Sequence, residues 1–378
     1  MKCNKFAILS SIAILVLLLF SCNDKSNRTI IKGSINNLED SEILITYFLS
    51  DSLVIDTIWT NDKGDFSYDC VIDDLTSFSL FFNNQNSSVM LFANPLDKVS
   101  LKGDAQVFDL VKVNGNEIND DLTKFKEENR ELITRRYLLY NNMLETNAVD
   151  SLNNGMALVH SNDDAKINNI NLDLIMAAEA FIEKNPNRLS SLVLINEFFA
   201  NAENSESFER VMSFVKGDIL KTKMGLNLNT YLNKVKNSAE GSSMPYFKII
   251  DVKGDTTNSY DYKGKHLLLS FVSATGSDSR ENIKRLKDTY NNLNKDSVEF
   301  ISIYIDSNIH PNEYIENDSI DWTIVYENKS WASDIVDAYN IEFVPNNILI
   351  SPSGVISSRN ISASAVAKEL RNSNKNDQ

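Results

Sequence analysis

An α+β multidomain architecture follows from three changes of pattern along the 378 residues. Short alternating strands run over 29–116, helical spacing takes over for 117–236, and strands alternate with helices over 245–372. The first stretch predicts a β-sandwich-like domain, the second a helical region, and the third an α/β domain with helices on both faces of its sheet. With 42% hydrophobic and 24% charged residues the chain is globular rather than disordered, and it is long enough for two or three cores.

Residues 1–22 read as a targeting segment. Lys2 and Lys5 give a positive start, and Phe6 to Phe20 is an apolar run too short for a comfortable membrane span. It ends in Leu19-Phe20-Ser21-Cys22, which resembles the lipobox cut by lipoprotein signal peptidase. The resemblance implies a lipoprotein signal peptide, acylation of Cys22, and attachment to the membrane through that lipid. It places the protein in a Gram-negative cell envelope, at the outer membrane or the periplasmic face. A plain secretory leader ending near a cysteine, or an uncleaved anchor, is the alternative. Each buried acyl methylene contributes roughly 0.8 kcal/mol, so several chains together anchor durably. Asn23 to Arg28 would be a short polar tether.

The net charge is −15, and losing Lys2 and Lys5 with the leader makes it −17. With no basic cluster beyond Arg135-Arg136, this acidity excludes a nucleic-acid partner. Of three cysteines, Cys3 leaves with the leader, Cys22 takes the lipid, and Cys70 remains alone. No intramolecular disulfide can form, although the periplasm would permit one.

Within 29–116, Ile30 to Ile35, Glu42 to Phe48 and Leu53 to Trp59 are rich in β-branched and aromatic residues. Asn61-Asp62-Lys63-Gly64-Asp65 is a turn. Phe66 to Ile72 follows as a strand, its alternate residues 66, 68, 70 and 72 facing inward. Cys70 then reads as a small buried hydrophobe; intermolecular pairing or reactivity is the other reading. Ser77 to Phe82, Ser88 to Phe92 and Lys98 to Lys102 complete the series, with Asn94-Pro95-Leu96-Asp97 as a turn.

From Glu117, apolar residues recur at helical spacing: Leu122, Phe125, Leu132 and Ile133, then Ile170, Leu174, Ala178 and Ile182. Further stripes run through Leu192 to Phe199 and Phe208 to Val215, and Asn185-Pro186 ends one helix. Asn237 to Met244 reads as a linker. Beyond it, His266 to Val272 is a nearly continuous apolar run, as a central buried strand should be. Ser279 to Leu293 is helical, Val298 to Ile305 a strand, and Trp331 to Tyr339 a helix. Asn347 to Ile350 is a strand, Ser351-Pro352-Ser353-Gly354 a hairpin turn, and Ala363 to Arg371 a closing helix.

Tyr262-Lys263-Gly264-Lys265 leads into the apolar strand, which continues as Ser273-Ala274-Thr275-Gly276-Ser277-Asp278-Ser279-Arg280. This stretch resembles the periplasmic thioredoxin-like reductases of the cytochrome-biogenesis and thiol-specific-antioxidant type. There the strand runs into Phe-Trp-Ala-Ser-Trp-Cys-Gly-Pro-Cys-Arg. On that pattern the cysteines fall on Gly276 and Ser279, Gly-Pro becomes Ser277-Asp278, and the tryptophans become Val272 and Thr275. Phe271 and Arg280 survive. Phe343 to Ile350 resembles the segment around the family's cis-proline, which implies that Pro345 is that residue. Met244-Pro245-Tyr246-Phe247 fits the family's opening. The resemblance implies a thioredoxin-like fold for 245–372. Upstream, Lys32-Gly33, Gly64-Asp65-Phe66, Asp97 to Leu101 and Val113-Asn114-Gly115-Asn116 resemble an uncharacterised β-rich domain that precedes such modules in envelope lipoproteins.

The departures rule out the family's usual reaction. Dithiol exchange needs a thiolate attacker and a second thiol to resolve the mixed disulfide. Gly276 has no side chain, and the Ser279 hydroxyl cannot replace a thiol. No catalytic residue is expected. Asp278 and Glu281 have capping-box spacing; alternatively Ser277, Ser279, Arg280 and helix amides form a polar pocket.

His160, His266 and His310 have no His or Cys at ligand spacing, so no metal site is expected, and no phosphate loop or nucleophile elbow signals a cofactor. Asp73-Asp74, Asp120-Asp121 and Asp163-Asp164 read as solvated loop charges. Asp-Ser/Thr-aliphatic triplets at 51–53, 56–58, 150–152 and 318–320 resemble O-glycosylation acceptors, with chance the rival account.

Three functions remain open. The first is a membrane-anchored, redox-inactive thioredoxin-like lipoprotein that binds an envelope protein or peptide in a groove lined by Thr275, Arg280, Val344 and Pro345. The second is a thiol-disulfide oxidoreductase-type enzyme, and the third a structural spacer.

Overall fold

The computed structural model describes residues 28–82, 88–152, 161–201, 205–306 and 320–376. The leader with Cys3 and Cys22, His160, His310 and Asp318-Ser319 lie outside the described residues. The chain divides into two compact units between Leu194 and Ile195. Among the described residues no helix is long and apolar enough to cross a membrane.

Eight strands build the first unit: β1 Thr29–Asn36, β2 Glu42–Leu49, β3 Ser52–Trp59, β4 Asp65–Cys70, β5 Thr76–Phe81, β6 Ser88–Ala93, β7 Lys98–Asp104 and β8 Lys112–Asn114. They form two four-stranded sheets, ordered β4-β1-β7-β8 and β3-β2-β5-β6. Pairing is antiparallel except between β1 and β7. Period-two alternation is plain in β2, where Ile43, Ile45 and Tyr47 are buried while Leu44 and Phe48 face away. Ile31, Ile43, Phe78, Leu80, Leu91 and Leu101 join both sheets in one core. The turn before β4 is closed by Asn61 Oδ1, which accepts the Lys63 and Asp65 amides at 2.9 Å. Gly64 there has φ +74°, and a Cβ would lie 1.9 Å from the Ile35 carbonyl oxygen, so only glycine fits.

Four helices follow: α1 Glu117–Glu128, α2 Arg130–Leu152, α3 Ser161–Lys184 and α4 Leu189–Phe198, the unit boundary falling inside α4. Asn116 caps α1, its Oδ1 accepting the Asn119 amide at 3.1 Å while its Nδ2 donates to the Phe92 carbonyl at 2.8 Å. Asn119 closes the junction by accepting the Phe92 amide at 2.9 Å. Two acidic pairs expected in loops are helical. Asp120-Asp121 lies within α1 and Asp163-Asp164 in the first turn of α3, where the helix dipole favours carboxylates. Asp121 accepts a hydrogen bond from Ser190 at 2.8 Å. Asp73-Asp74 is in a loop as expected.

In the second unit α5 Ser205–Phe214 and α6 Lys223–Asn237 bury Phe208, Val211, Leu228 and Val235. A short hairpin of β9 Lys248–Ile250 and β10 Thr256–Asn258 precedes the main sheet. That sheet has the order β13-β12-β11-β14-β15, built from β11 His266–Val272, β12 Val298–Tyr304, β13 Thr323–Tyr326, β14 Asn346–Ile350 and β15 Ile356–Ser358. β12 and β13 continue parallel from β11, while β14 runs antiparallel to it. β11 is buried along its whole length. Leu267, Leu269 and Phe271 pack with Ile335 and Val336 of α8 Asp334–Ala338. Leu268 and Val272 pack on the other face with α7 Ser277–Tyr290 and α9 Ala363–Asn376.

The expected helix over Trp331 to Tyr339 is shorter, because Ser330 takes φ +52° and Ser333 is extended, leaving a 3-10 turn before α8. The expected linker is not free chain. The Gly241 amide donates to the Ile356 carbonyl at 2.9 Å and the Met244 amide to Gly354 at 2.8 Å, so 241–244 pairs with the β15 edge. β8, β13 and the β9–β10 hairpin lacked a sequence signal strong enough to be expected, each being four residues or fewer.

Cys70 packs in the sandwich core, and burial, with the neighbouring Asp69 charge, pushes its thiol up to about 11. At pH 8 fewer than about one molecule in a hundred would then carry the thiolate. Folded protein should leave Cys70 unlabelled by a thiol reagent that labels it fully in denaturant, and rapid native labelling would contradict this placement.

Candidate functional site

Parallel strands β11, β12 and β13 end on one side of the second sheet, and β14 starts there because it runs the other way. Asn346 pairs with Phe271, so Pro345 comes level with Val272. The turn 273–276 after β11, Asp306 after β12, Trp331 after β13 and 343–345 before β14 therefore share that end. In open α/β sheets this is where ligands sit. Trp331 and Phe343 are half exposed there, at 50% and 45%. The Val344–Pro345 peptide bond is cis, as the resemblance implied.

The turn is closed by side chains of its own and by one carboxylate. Ser273 Oγ accepts the Thr275 and Gly276 amides at 3.2 and 3.1 Å. Ser273 Oγ also donates to Asp306 Oδ2 at 2.6 Å. Asp306 further accepts the Ala274 amide at 2.8 Å, the Thr275 amide at 3.3 Å and the Thr275 hydroxyl at 3.2 Å. Burial pushes its carboxyl up, but the hydrogen bonds from Ser273, Ala274 and Thr275 outweigh it and hold the group below the ordinary carboxylate value. Sequence reading missed Asp306. Its signal is an acid directly after a parallel strand's carboxyl end.

Gly276 is the N-cap of α7, with φ −70° and ψ 128° and no side-chain cap. The capping box expected from Asp278 and Glu281 does not form, because the helix starts before Asp278, which stays exposed while Glu281 pairs with Arg285 at 2.9 Å. Ser277 donates to Asp278 at 3.3 Å. Ser279 is buried, and its Oγ accepts the Ser273 amide at 3.0 Å. Arg280 reaches back, its Nη1 donating to the Thr275 carbonyl at 2.8 Å. A Cβ on Gly276 would meet Ser273 and Ser279 Oγ at 3.4–3.5 Å, ordinary contact. Thr275, Gly276, Ser277 and Arg280 thus form one surface turn, with Ser279 beneath it. Val344 and Pro345 join them only by sharing the sheet end, both half-buried.

Below the turn lies a polar group within the core. Asn282 of α7 donates to Ser270 Oγ and Asn347 Oδ1, both at 3.1 Å, and Asn347 returns a bond to Asn282 Oδ1 at 2.8 Å. Asn347 also donates to the Ile361 carbonyl at 2.9 Å. This reciprocal amide pair sets the register of α7 on β11 and β14. His266 is buried at the start of β11. Among the described residues no group of His, Cys, Asp and Glu is placed to hold a metal.

A strand–helix–strand unit followed by an antiparallel hairpin, with a cis-proline facing the first turn's end of the sheet, defines a thioredoxin-like domain. Residues 241–359 match the AhpC/TSA family, and the C-terminal domain is thioredoxin-like. Over 119 residues the chain is 23% identical to the thiol-disulfide oxidoreductase ResA of Bacillus subtilis, covering 31% of this chain and 65% of that protein. The chain thus spans just under two thirds of that relative's length. Among solved structures, the thioredoxin domain of a thiol-disulfide oxidoreductase from Bacteroides vulgatus is 27% identical, covering 35% of this chain and 96% of that one with a TM-score of 0.33. A thioredoxin-like protein from Bacteroides caccae is 15% identical over 59% of this chain and 87% of its own, with a TM-score of 0.41.

Two predictions follow from the geometry. Asn282→Ala should destabilise by about 1–3 kcal/mol, since Asn347 loses its buried partner; an unchanged urea midpoint would show that the pair carries no stability. A carboxylate held below about 3.9 contributes fully above that pH and loses its contribution as pH falls through its lower folded value. Asp306→Asn should therefore flatten the acid limb of thermal stability against pH and leave the limb above neutrality parallel to wild type.

Proposed function

We propose that the protein is a lipid-anchored envelope protein whose thioredoxin-like domain binds a partner polypeptide and performs no dithiol exchange. The observation that carries this reading is the start of α7. At its two cysteine-equivalent positions stand Gly276, without a side chain, and Ser279, whose buried hydroxyl is engaged by the Ser273 amide. Among the described residues the remaining thiol, Cys70, is buried in the other unit's core. Neither hydroxyl nor glycine can attack a disulfide sulfur.

Binding needs no thiol. The backbone of 343–345 lies at the sheet end beside an exposed turn, and Phe343 and Trp331 add apolar surface that an extended peptide's side chains could cover. The leader's Leu19-Phe20-Ser21-Cys22 supports anchoring, and with it a site on the periplasmic side. The printed activity of the relatives, thiol-disulfide oxidoreductase, supports the rival reading that the protein still acts on disulfides, using thiols supplied by a partner.

Insulin reduction separates these readings. Wild-type protein should show no turnover, and turnover abolished by Cys70→Ser would overturn the proposal. Gly276→Cys with Ser279→Cys is expected to form a disulfide, because the two side chains would be in contact: an added Cβ lies 3.5 Å from Ser279 Oγ, and a bridge needs only a small further approach. Thiol titration before and after reduction reads that out. Affinity capture from the native envelope then tests binding: Thr275→Arg with Asp278→Lys, both exposed positions, should lose a partner that wild type retains. Equal capture by both would move the interface off this end of the sheet.

A further inference from the structure

The first unit carries a second surface that the thioredoxin-like site does not use. The outer face of sheet β3-β2-β5-β6 exposes Leu44, Phe48, Leu53, Ile55, Trp59 and Met90. The register places them together. Phe48 is opposite Leu53, Ile55 opposite Thr46, Trp59 opposite Glu42, and Met90 opposite Ser79. Along the outward positions of these four strands Glu42, at one corner, is the charged residue; the others are apolar, Ser or Thr. In a chain of net charge −15 a neutral apolar sheet face is a marked exception.

The β3 edge of this sheet is guarded against strand addition. The Thr60 amide bonds the Ser41 carbonyl at 2.9 Å, so by the alternation of an antiparallel ladder the odd-numbered amides of β3 point to the open edge. The Thr57 amide among them is taken by Asp56 Oδ1 at 2.8 Å. A strand added there would have to desolvate that mid-strand carboxylate and displace its bond to the Thr57 amide. A second copy would also bring its own large negative charge. The face itself remains, and its occupant is indicated by chain length. Only six residues, seven backbone steps, separate Cys22 from Thr29, where β1 begins. Fully extended they reach at most about 25 Å.

We propose that the outer face of β3-β2-β5-β6 lies on the surface of the bilayer that holds the Cys22 lipid, with Trp59 and Phe48 at the depth of the headgroups. This rests on the lipid-anchor reading above. Tryptophan and phenylalanine suit that depth, since the rings bury apolar area and the indole N–H still reaches water. The neutral face suits zwitterionic lipid, because it offers no cations to an anionic surface. Docking this way would hold the first unit at a set orientation to the membrane rather than loose on its tether.

The test uses lipidated full-length protein carrying Trp331→Phe, reconstituted in phosphatidylethanolamine–phosphatidylcholine vesicles with and without brominated acyl chains. Trp322 is buried, so accessible emission reports Trp59. The expected result is co-flotation with vesicles, a blue shift, and loss of most Trp59 emission in brominated lipid. Phe48→Ser with Ile55→Ser, both exposed, should still float and lose the quenching. Flotation without quenching of Trp59 overturns the docked face and leaves the anchor standing. No flotation overturns the anchor, and the docking with it. A blue shift that needs no vesicles and rises with protein concentration places a second copy there and overturns the proposal.

Discussion

Strand β11 is buried along its length, and the second unit is arranged around that constraint. A strand with no exposed side must find every backbone partner within the sheet, so it takes β12 on one side and β14 on the other. Its side chains alternate between two apolar layers, which requires helices on both faces. The sheet then has one end where three strands finish, and the polypeptide must turn there into α7. Buried Ser270, Asn282 and Asn347 hold that helix in register, so the turn at 273–276 starts from a fixed place.

That turn is held together by its own side chains and one carboxylate. Four donors converge on Asp306, and Ser273 and Ser279 use the remaining hydroxyls internally. A sulfur at 276 or 279 would stand at the positive end of a helix, where thiolates are stabilised. A hydroxyl there gains only a hydrogen bond. Strand burial, helix packing and the amide pair owe nothing to cysteine, so the fold stands with Gly276 and Ser279 at these positions.

The first unit shows the complementary case, in which a sheet has one face in a core and the other without one. Its inner residues explain its stability, and its outer row of Leu44, Phe48, Leu53, Ile55 and Trp59 needs a reason outside the unit. The β3 edge is guarded by Asp56 and the face is not, which separates pairing along that edge from contact with a flat apolar surface.

Much of this was legible in the residues alone. Strand-forming composition between turn signals, with period-two alternation at Phe66 to Ile72, marked seven of the sandwich strands to within a residue or two, and the unbroken run His266 to Val272 announced a central strand. That positions 276 and 279 carry Gly and Ser rather than sulfur could be read directly, because residue identity does not wait on the fold. What tertiary structure decided were the features that depend on distant partners. Asp306 became the anchor of the turn because β12 lies beside β11, over thirty residues away in sequence for Ser273 and Asp306. The start of α7 lies ahead of the apparent capping box, with its N-cap at Gly276, where Ser273 and Asp306 hold the preceding amides. The apparent linker became part of the β15 edge because free backbone groups there offered partners. Local sequence sets side-chain period and chemical capability; which hydrogen bonds close, and which apolar face is left open, depends on what the fold brings alongside.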